Sequence, residues 1–343
     1  MEKFRATKDR LGFEIGVGQI STFSTTTMHP GQRLPLVVSP TQPPESLAEF
    51  SLSHNSQIAA WLVEHGAVLF RGYNVRGTID FDEFARSISD DRLKYIYRST
   101  PRTLVANNLL TASEYPPSQE IPLHTENSYQ SEWPRKVAFY CSVPATSGGE
   151  TPLADMKRVS AVIGEETLGE FEARKVQYVR HYHPYIDVPW SIVFQTDDKE
   201  AVADYCDRHA IDHEWLDAET LRTAHVCQGA IVHPQTKVRT FFNQAHLFHY
   251  SSLGPEASRE MIDVFGRDRL PRNAFYGDGG DFGSETLERI RSAFRSESVE
   301  FQWQAGDVLL LDNMQVAHGR RSFIGKREVF AVLLERYQHM TAQ

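Results

Sequence analysis

The run FQWQAGDVLLLDNMQVAHGRRSFIGKREVFAVLLERYQ near the C-terminus constrains the fold more than any other stretch. It reads as three strands with tight turns. Gly306-Asp307 and Asp312-Asn313 are turn signals, and VLLLD and VFAVLL are short apolar runs of the kind buried in a sheet. A chain that ends in a compact β-meander needs further strands to cover it. GAVLFRGY, bounded by glycines, supplies one such run, and strand-and-loop sequence from about residue 95 to 155 and at 226–248 supplies more. Helical patterns lie outside these. PPESLAEFSLSHNSQIAAWLVEHG has Ile58, Leu62 and Val63 at helical spacing before Gly66, and DFDEFARSIS and SETLERIRSAFRSES are amphipathic. Residues 155–225 are expected to form a largely helical insertion, and residues 1–45, rich in Ser, Thr, Gly and Pro, an irregular N-terminal arm. No repeat or linker divides the 343 residues. The expected architecture is therefore one domain spanning 1–343, mostly β with α decoration, built on a sandwich or barrel core.

Composition excludes several functions. The net charge of −9 argues against a nucleic-acid partner, which needs a basic face. Three widely spaced cysteines with no CxxC fit neither a disulfide framework nor a zinc–thiolate site, and suggest a reducing compartment. MEKFRATKDRLGFEIG lacks an apolar core, and no stretch approaches ~18 apolar residues, so neither a secretory leader nor a membrane span is expected and the localisation expected is cytoplasmic.

In IPLHTENSY, His124 and Glu126 stand two residues apart. On a strand, side chains at i and i+2 share a face, so an imidazole and a carboxylate would converge on one point. A second histidine would complete a two-His, one-carboxylate facial triad. That set suits iron(II) and leaves positions open for a chelating co-substrate and O₂. With 14 histidines in the chain, H-x-E alone is weak, and a solvent-facing His–Glu pair is the plainer alternative. His181/His183 and His246/His249 are rival pairs without an adjacent carboxylate, read as structural or pocket-lining. The remaining ligand must come from a distant strand, and His318, following the Asp312-Asn313 turn, fits. Nine residues later comes Arg327, whose planar fork can clamp the distal carboxylate of a dicarboxylate; the plainer alternative is a surface arginine at a hairpin end.

Together these segments resemble the TauD/TfdA-type branch of iron(II)/2-oxoglutarate dioxygenases, nearest its SyrP-like and clavaminate-synthase-like members. The resemblance runs over roughly residues 60–335. It rests on H-T-E followed by G-G-E-T-P, and on D-N-x-x-x-x-H-G-R with an arginine nine residues beyond the histidine. It implies a double-stranded β-helix (jelly-roll, cupin-like) core with flanking helices, iron on His124, Glu126 and His318, and 2-oxoglutarate held by Thr151 and Arg327. It implies hydroxylation of an unactivated C–H bond, with Fe(II), 2-oxoglutarate and O₂ as cofactor and co-substrates and no catalytic side chain beyond the metal ligands. Glu126 stands where many members have Asp, a departure typical of the amino-acid-modifying branch. Related halogenases lack this carboxylate, so halogenation is not expected. The expected substrate is an amino acid or aminoacyl group of natural-product biosynthesis, free or tethered to a carrier protein. Arg102, Asn107, Asn243 and Arg320 are the candidate substrate contacts, each with a plainer alternative as a turn cap or solvated side chain. Desaturation, cyclisation or oxidation of a sulfonate or aryloxy substrate remain open outcomes of the same chemistry, as does a non-catalytic jelly-roll metal-binding protein.

Overall fold

A computed structural model describes residues 22–28, 31–94, 96–97, 103–106, 109–111, 115–183 and 186–338. Its largest sheet has eight strands, in the order Phe23–Thr27, Leu36–Pro40, Ala67–Phe70, Val308–Asp312, Glu132–Val143, Glu328–Gln338, Leu109–Thr111 and Leu104–Ala106. A four-stranded sheet contains, in order, Ser298–Val299, Leu153–Asp155, Val316–Arg320 and Ile121–His124.

The run VLLLD explains how the layers stack. Successive strand residues face opposite sides. Val308 and Leu310 pack with Phe70, Phe81 and Phe84, under the helices Leu47–Ser53, Asn55–His65 and Thr78–Ile88. Leu309 and Leu311 pack on the other side with Phe139, Leu153, Val316 and Trp303, where the four-stranded sheet lies. Both faces are buried, so the run has no polar alternation. Asp312 and Asn313 then turn the chain from the large sheet into Val316–Arg320 of the small one.

The helix expected from Pro43 to Gly66 forms as two, broken at His54, whose ring stacks on Phe50 at 4.4 Å between centroids. Ser46 and Glu49 close a reciprocal capping box at its start.

Two expectations change. The arm 1–45 is not wholly irregular: β-branched FSTTT pairs antiparallel with LVVSP, which runs parallel to Ala67–Phe70. The segment 155–225 holds helices Met156–Ile163, Glu165–Arg174, Trp190–Phe194 and Lys199–Arg208, but also strands Val176–Tyr182, Asp212–Trp215 and Leu221–Cys227. These join Arg272–Tyr276 in a further four-stranded sheet. Residues 212–225 carry helix-forming Glu, Leu and Ala, but pairing between Asp212–Trp215 and Leu221–Ala224 overrides that local preference. All three cysteines are buried and free. Among the described residues, no helix is long and apolar enough to cross a membrane.

Candidate metal centre

His318 and His124 are direct partners in the antiparallel ladder between Val316–Arg320 and Ile121–His124. Residues opposite one another in such a ladder present their side chains on one face, and the two rings lie 4.7 Å apart between centroids. The ladder is irregular immediately beyond His318. A Cβ at position 319 would lie 2.6 Å from the Ile121 carbonyl oxygen, so only glycine lets the strands approach this closely. The G of H-G-R is thus a packing requirement of the paired histidines.

His124 Nδ1 lies 2.8 Å from the Pro122 carbonyl. Only a protonated Nδ1 can donate there, which leaves the Nε2 lone pair for a metal. Glu126 Oε2 lies 3.5 Å from His318 Nε2, and both residues are buried. One donor atom from each of His124, Glu126 and His318 falls within 4.8 Å of the other two. Two imidazoles and a carboxylate converging in this way fit iron(II). Glu126 itself departs from expectation: the strand stops at His124, and Glu126 sits in the turn beyond it.

The next strand over leads to the other candidate residues. Leu153 is the ladder partner of His318 on its other side, and Gly319 N–H to Pro152 O and Arg321 N–H to Glu150 O carry the pairing back through GGET. Thr151, two residues from Leu153, therefore shares the face of His318. It is buried, and its Oγ1 accepts a hydrogen bond from Trp303 Nε1 at 2.9 Å. With an acceptor position so occupied, the hydroxyl hydrogen is free to donate elsewhere. Gly149 serves Arg327: its carbonyl accepts from Nε at 3.1 Å, and a Cβ there would crowd the arginine stem at 3.0 Å. Arg327 makes no salt bridge among the described residues. Burial, with Arg320 nearby, pushes its pKa down to about 10, so the group stays cationic at neutral pH but is poorly solvated. Glu150 acts on it electrostatically without forming a salt bridge, so the half-buried guanidinium can receive an incoming carboxylate. The sequence gives no site role to Trp303, Gly149 or Asn313, the last read there only as a turn, although Asn313 bonds to the backbone of Glu126. W-Q-A-G-D, G-G-E-T and D-N stood inside recognisable blocks, but only coordinates connect them.

A cavity of about 510 Å³ opens onto His124 and Glu126. Its walls are largely apolar, including Ile121, Leu247, Phe248 and Met261, with the ion pair of Arg272 and Asp187 set into them.

The substrate candidates fare differently. Arg320 is spent on backbone: its Nη atoms donate to the carbonyls of Tyr115, Pro116 and Gln119 at 2.7–2.9 Å, holding that loop. Asn243 donates to the Gly229 carbonyl and accepts from the Ala245 N–H, inside the protein. In both, backbone groups engage most of the polar atoms, although Arg320 Nε has no partner among the described residues. Arg102 and Asn107 lie outside the described residues. Three of the rival histidines have local hydrogen-bond partners. His181 bonds to the Leu270 carbonyl, His246 to that of Leu123, and His249 to Ser251. His233 is tied to Asp312 at 2.9 Å.

Residues 35–333 match the model of the taurine catabolism dioxygenase TauD, TfdA family. The chain is 38% identical over 290 residues to the dapdiamide synthesis protein DdaC of Enterobacter agglomerans, covering 84% of this chain and 88% of that one. It is 31% identical over 321 residues to a clavaminate synthase-like protein of Arabidopsis thaliana, covering 87% and 93%. Among solved structures, the PvcB protein of Pseudomonas aeruginosa aligns over 92% of each chain with a TM-score of 0.53 and 14% identity. AAD-2 in complex with Mn(II) and N-oxalylglycine aligns over 92% of this chain and 97% of its own, with a TM-score of 0.53 and 13% identity. The two alignments bear on the fold, which is a sheet-rich one with packed helices.

Proposed function

The chain belongs to the TauD/TfdA family of dioxygenases, and from that premise we propose that it hydroxylates an unactivated C–H bond of an amino acid or aminoacyl substrate in natural-product biosynthesis. It is an iron(II)- and 2-oxoglutarate-dependent enzyme. In this reading His124, Glu126 and His318 hold the metal, and Thr151 and Arg327 hold the far carboxylate of 2-oxoglutarate. The observation that carries it is the convergence of the three donors, in a chain that also holds a half-buried guanidinium with no salt bridge among the described residues. When bound, iron(II) couples oxidative decarboxylation of 2-oxoglutarate by O₂ to oxygen insertion into the substrate. The protein supplies the rest. The Pro122 carbonyl fixes the His124 tautomer, Trp303 aims the Thr151 hydroxyl, Gly149 aligns Arg327, and apolar walls limit water at the reacting carbon. The two sheets facing across one core fit a double-stranded β-helix within a single domain, and the free thiols fit a cytoplasmic site of action.

The substrate reading draws on two points. A relative is named for dapdiamide synthesis. The cavity wall also carries a carboxylate and a guanidinium, Asp187 and Arg272, paired with each other, and a zwitterionic head that exchanged partners with them would find the complementary charges. Presentation is free or on a carrier. Succinate release across a panel of amino acids and their carrier thioesters tests this reading, and no stimulation by any of them would overturn it. Arg272→Met and Asp187→Asn should each raise the KM for the stimulating substrate about tenfold, with the substrate-independent consumption of 2-oxoglutarate unchanged. An unaltered KM in both would move the substrate head elsewhere.

A non-catalytic metal-binding protein would need no dicarboxylate clamp. Anaerobic addition of Fe(II) and 2-oxoglutarate should give a weak visible metal-to-ligand charge-transfer band; a flat spectrum would favour that other class. Trp303→Phe keeps an aromatic ring and loses one donor. A neutral hydrogen bond is worth about 0.5–1.5 kcal/mol, so the KM for 2-oxoglutarate should rise about 2- to 10-fold with kcat at saturation nearly unchanged. Steady-state kinetics at varied 2-oxoglutarate measure both.

A further inference from the structure

The two histidines of the centre owe their placement to a β-ladder, whereas Glu126 lies past the end of its strand. Something else must fix it. The residue after it, Asn127, has φ +57°, the left-handed region, so the chain turns sharply immediately beyond the carboxylate. Across from this turn lies Asn313, fully buried at the corner between Val308–Asp312 and Val316–Arg320. Its Oδ1 accepts from the Glu126 N–H at 2.6 Å, and its Nδ2 donates to the Glu126 carbonyl at 2.9 Å. The second Nδ2 hydrogen goes to the Pro134 carbonyl, also at 2.9 Å. The amide thus pairs with Glu126 as a neighbouring strand residue would, satisfying both its backbone groups.

We propose that Asn313 is a positioning residue for the metal centre: its side chain replaces the missing ladder partner of Glu126 and holds that carboxylate in register with His318. The proposal rests on Glu126 being a metal ligand. It follows from connectivity as well as contact, because Asn313 and His318 stand five residues apart on one corner. The same corner therefore carries one ligand directly and holds another by its backbone. The neighbouring Asp312 anchors the corner in turn, accepting from His233 Nε2 and from the Met314 N–H, both at 2.9 Å.

The test uses Mn(II) as the probe, titrated by the electron paramagnetic resonance of the free ion, on the whole chain. Asn313→Asp keeps the shape and the acceptor but cannot donate to the two carbonyls. Its Mn(II) dissociation constant should rise about tenfold or more. In a Glu126→Ala background the same substitution should change the constant less than about twofold, because the group it positions is gone. An equal loss in both backgrounds overturns the positioning role. If Glu126→Ala alone leaves Mn(II) binding intact, the ligand assignment fails instead, which separates the two claims. Should Asn313→Asp not fold, the unsubstituted protein still decides. The Glu126 amide should exchange with deuterium as slowly as the ladder amides of Val316–Arg320, and exchange at the rate of an open turn overturns the proposal.

Discussion

His318→Ala should abolish succinate formation while leaving the chain folded. His318 is buried, with its ring edge-on to Phe139 at 5.0 Å and beside His124. Truncating it opens a small cavity and should cost about 1–3 kcal/mol, as a typical core substitution does. A domain of this size tolerates that loss. Function does not, because the remaining imidazole and carboxylate leave a facial set one donor short. The two buried histidines that could replace it are engaged: His233 with Asp312 and the N–H groups of Gln235 and Thr236, and His246 with the Leu123 carbonyl. The checks are succinate yield, the metal dissociation constant and a thermal melt. Turnover surviving in the variant would mean that the distal ligand has been misassigned, with His233 and His246 the next positions to replace.

Arg327→Gln should raise the 2-oxoglutarate requirement roughly 10- to 100-fold, since a charge-assisted pair contributes about 1.5–3 kcal/mol. The site has no substitute of equal charge and freedom. Arg320, whose charge acts on it, is bound to three carbonyls, and Thr151 offers a single neutral donor. Glutamine keeps the apolar stem against Gly149 but loses the fork and the charge. Arg327→Lys should fall between the two, retaining charge without bidentate geometry. The KM for 2-oxoglutarate, measured with succinate as the readout, decides. A KM within twofold of the parent would place the clamp at another residue.

The candidate ligand set is legible in the sequence because its chemistry is written in residue type and spacing, H-T-E and then a distant histidine after a D-N turn, and the structure brings the three together. Its geometry was only half legible. Alternation along a strand accounts for His124 and His318 but not for Glu126, which lies in a turn. The substrate contacts were the least legible. Arg320 and Asn243 have the right chemistry, but a sequence does not reveal that backbone carbonyls already occupy them. Likewise, FSTTT and the strands at 212–225 exist because distant partners are present, a long-range effect that local propensity does not encode.

The loop tie made by Arg320 divides the cavity into two kinds of wall. The side formed by residues 115–122 is fastened to the very strand that bears His318, so altering it would disturb the metal. A second side, with Leu253, Met261 and Leu270, hangs on other elements. Evolution, or an engineer, can therefore retailor which molecules enter by working on that second side alone, and leave the oxidation chemistry as it stands.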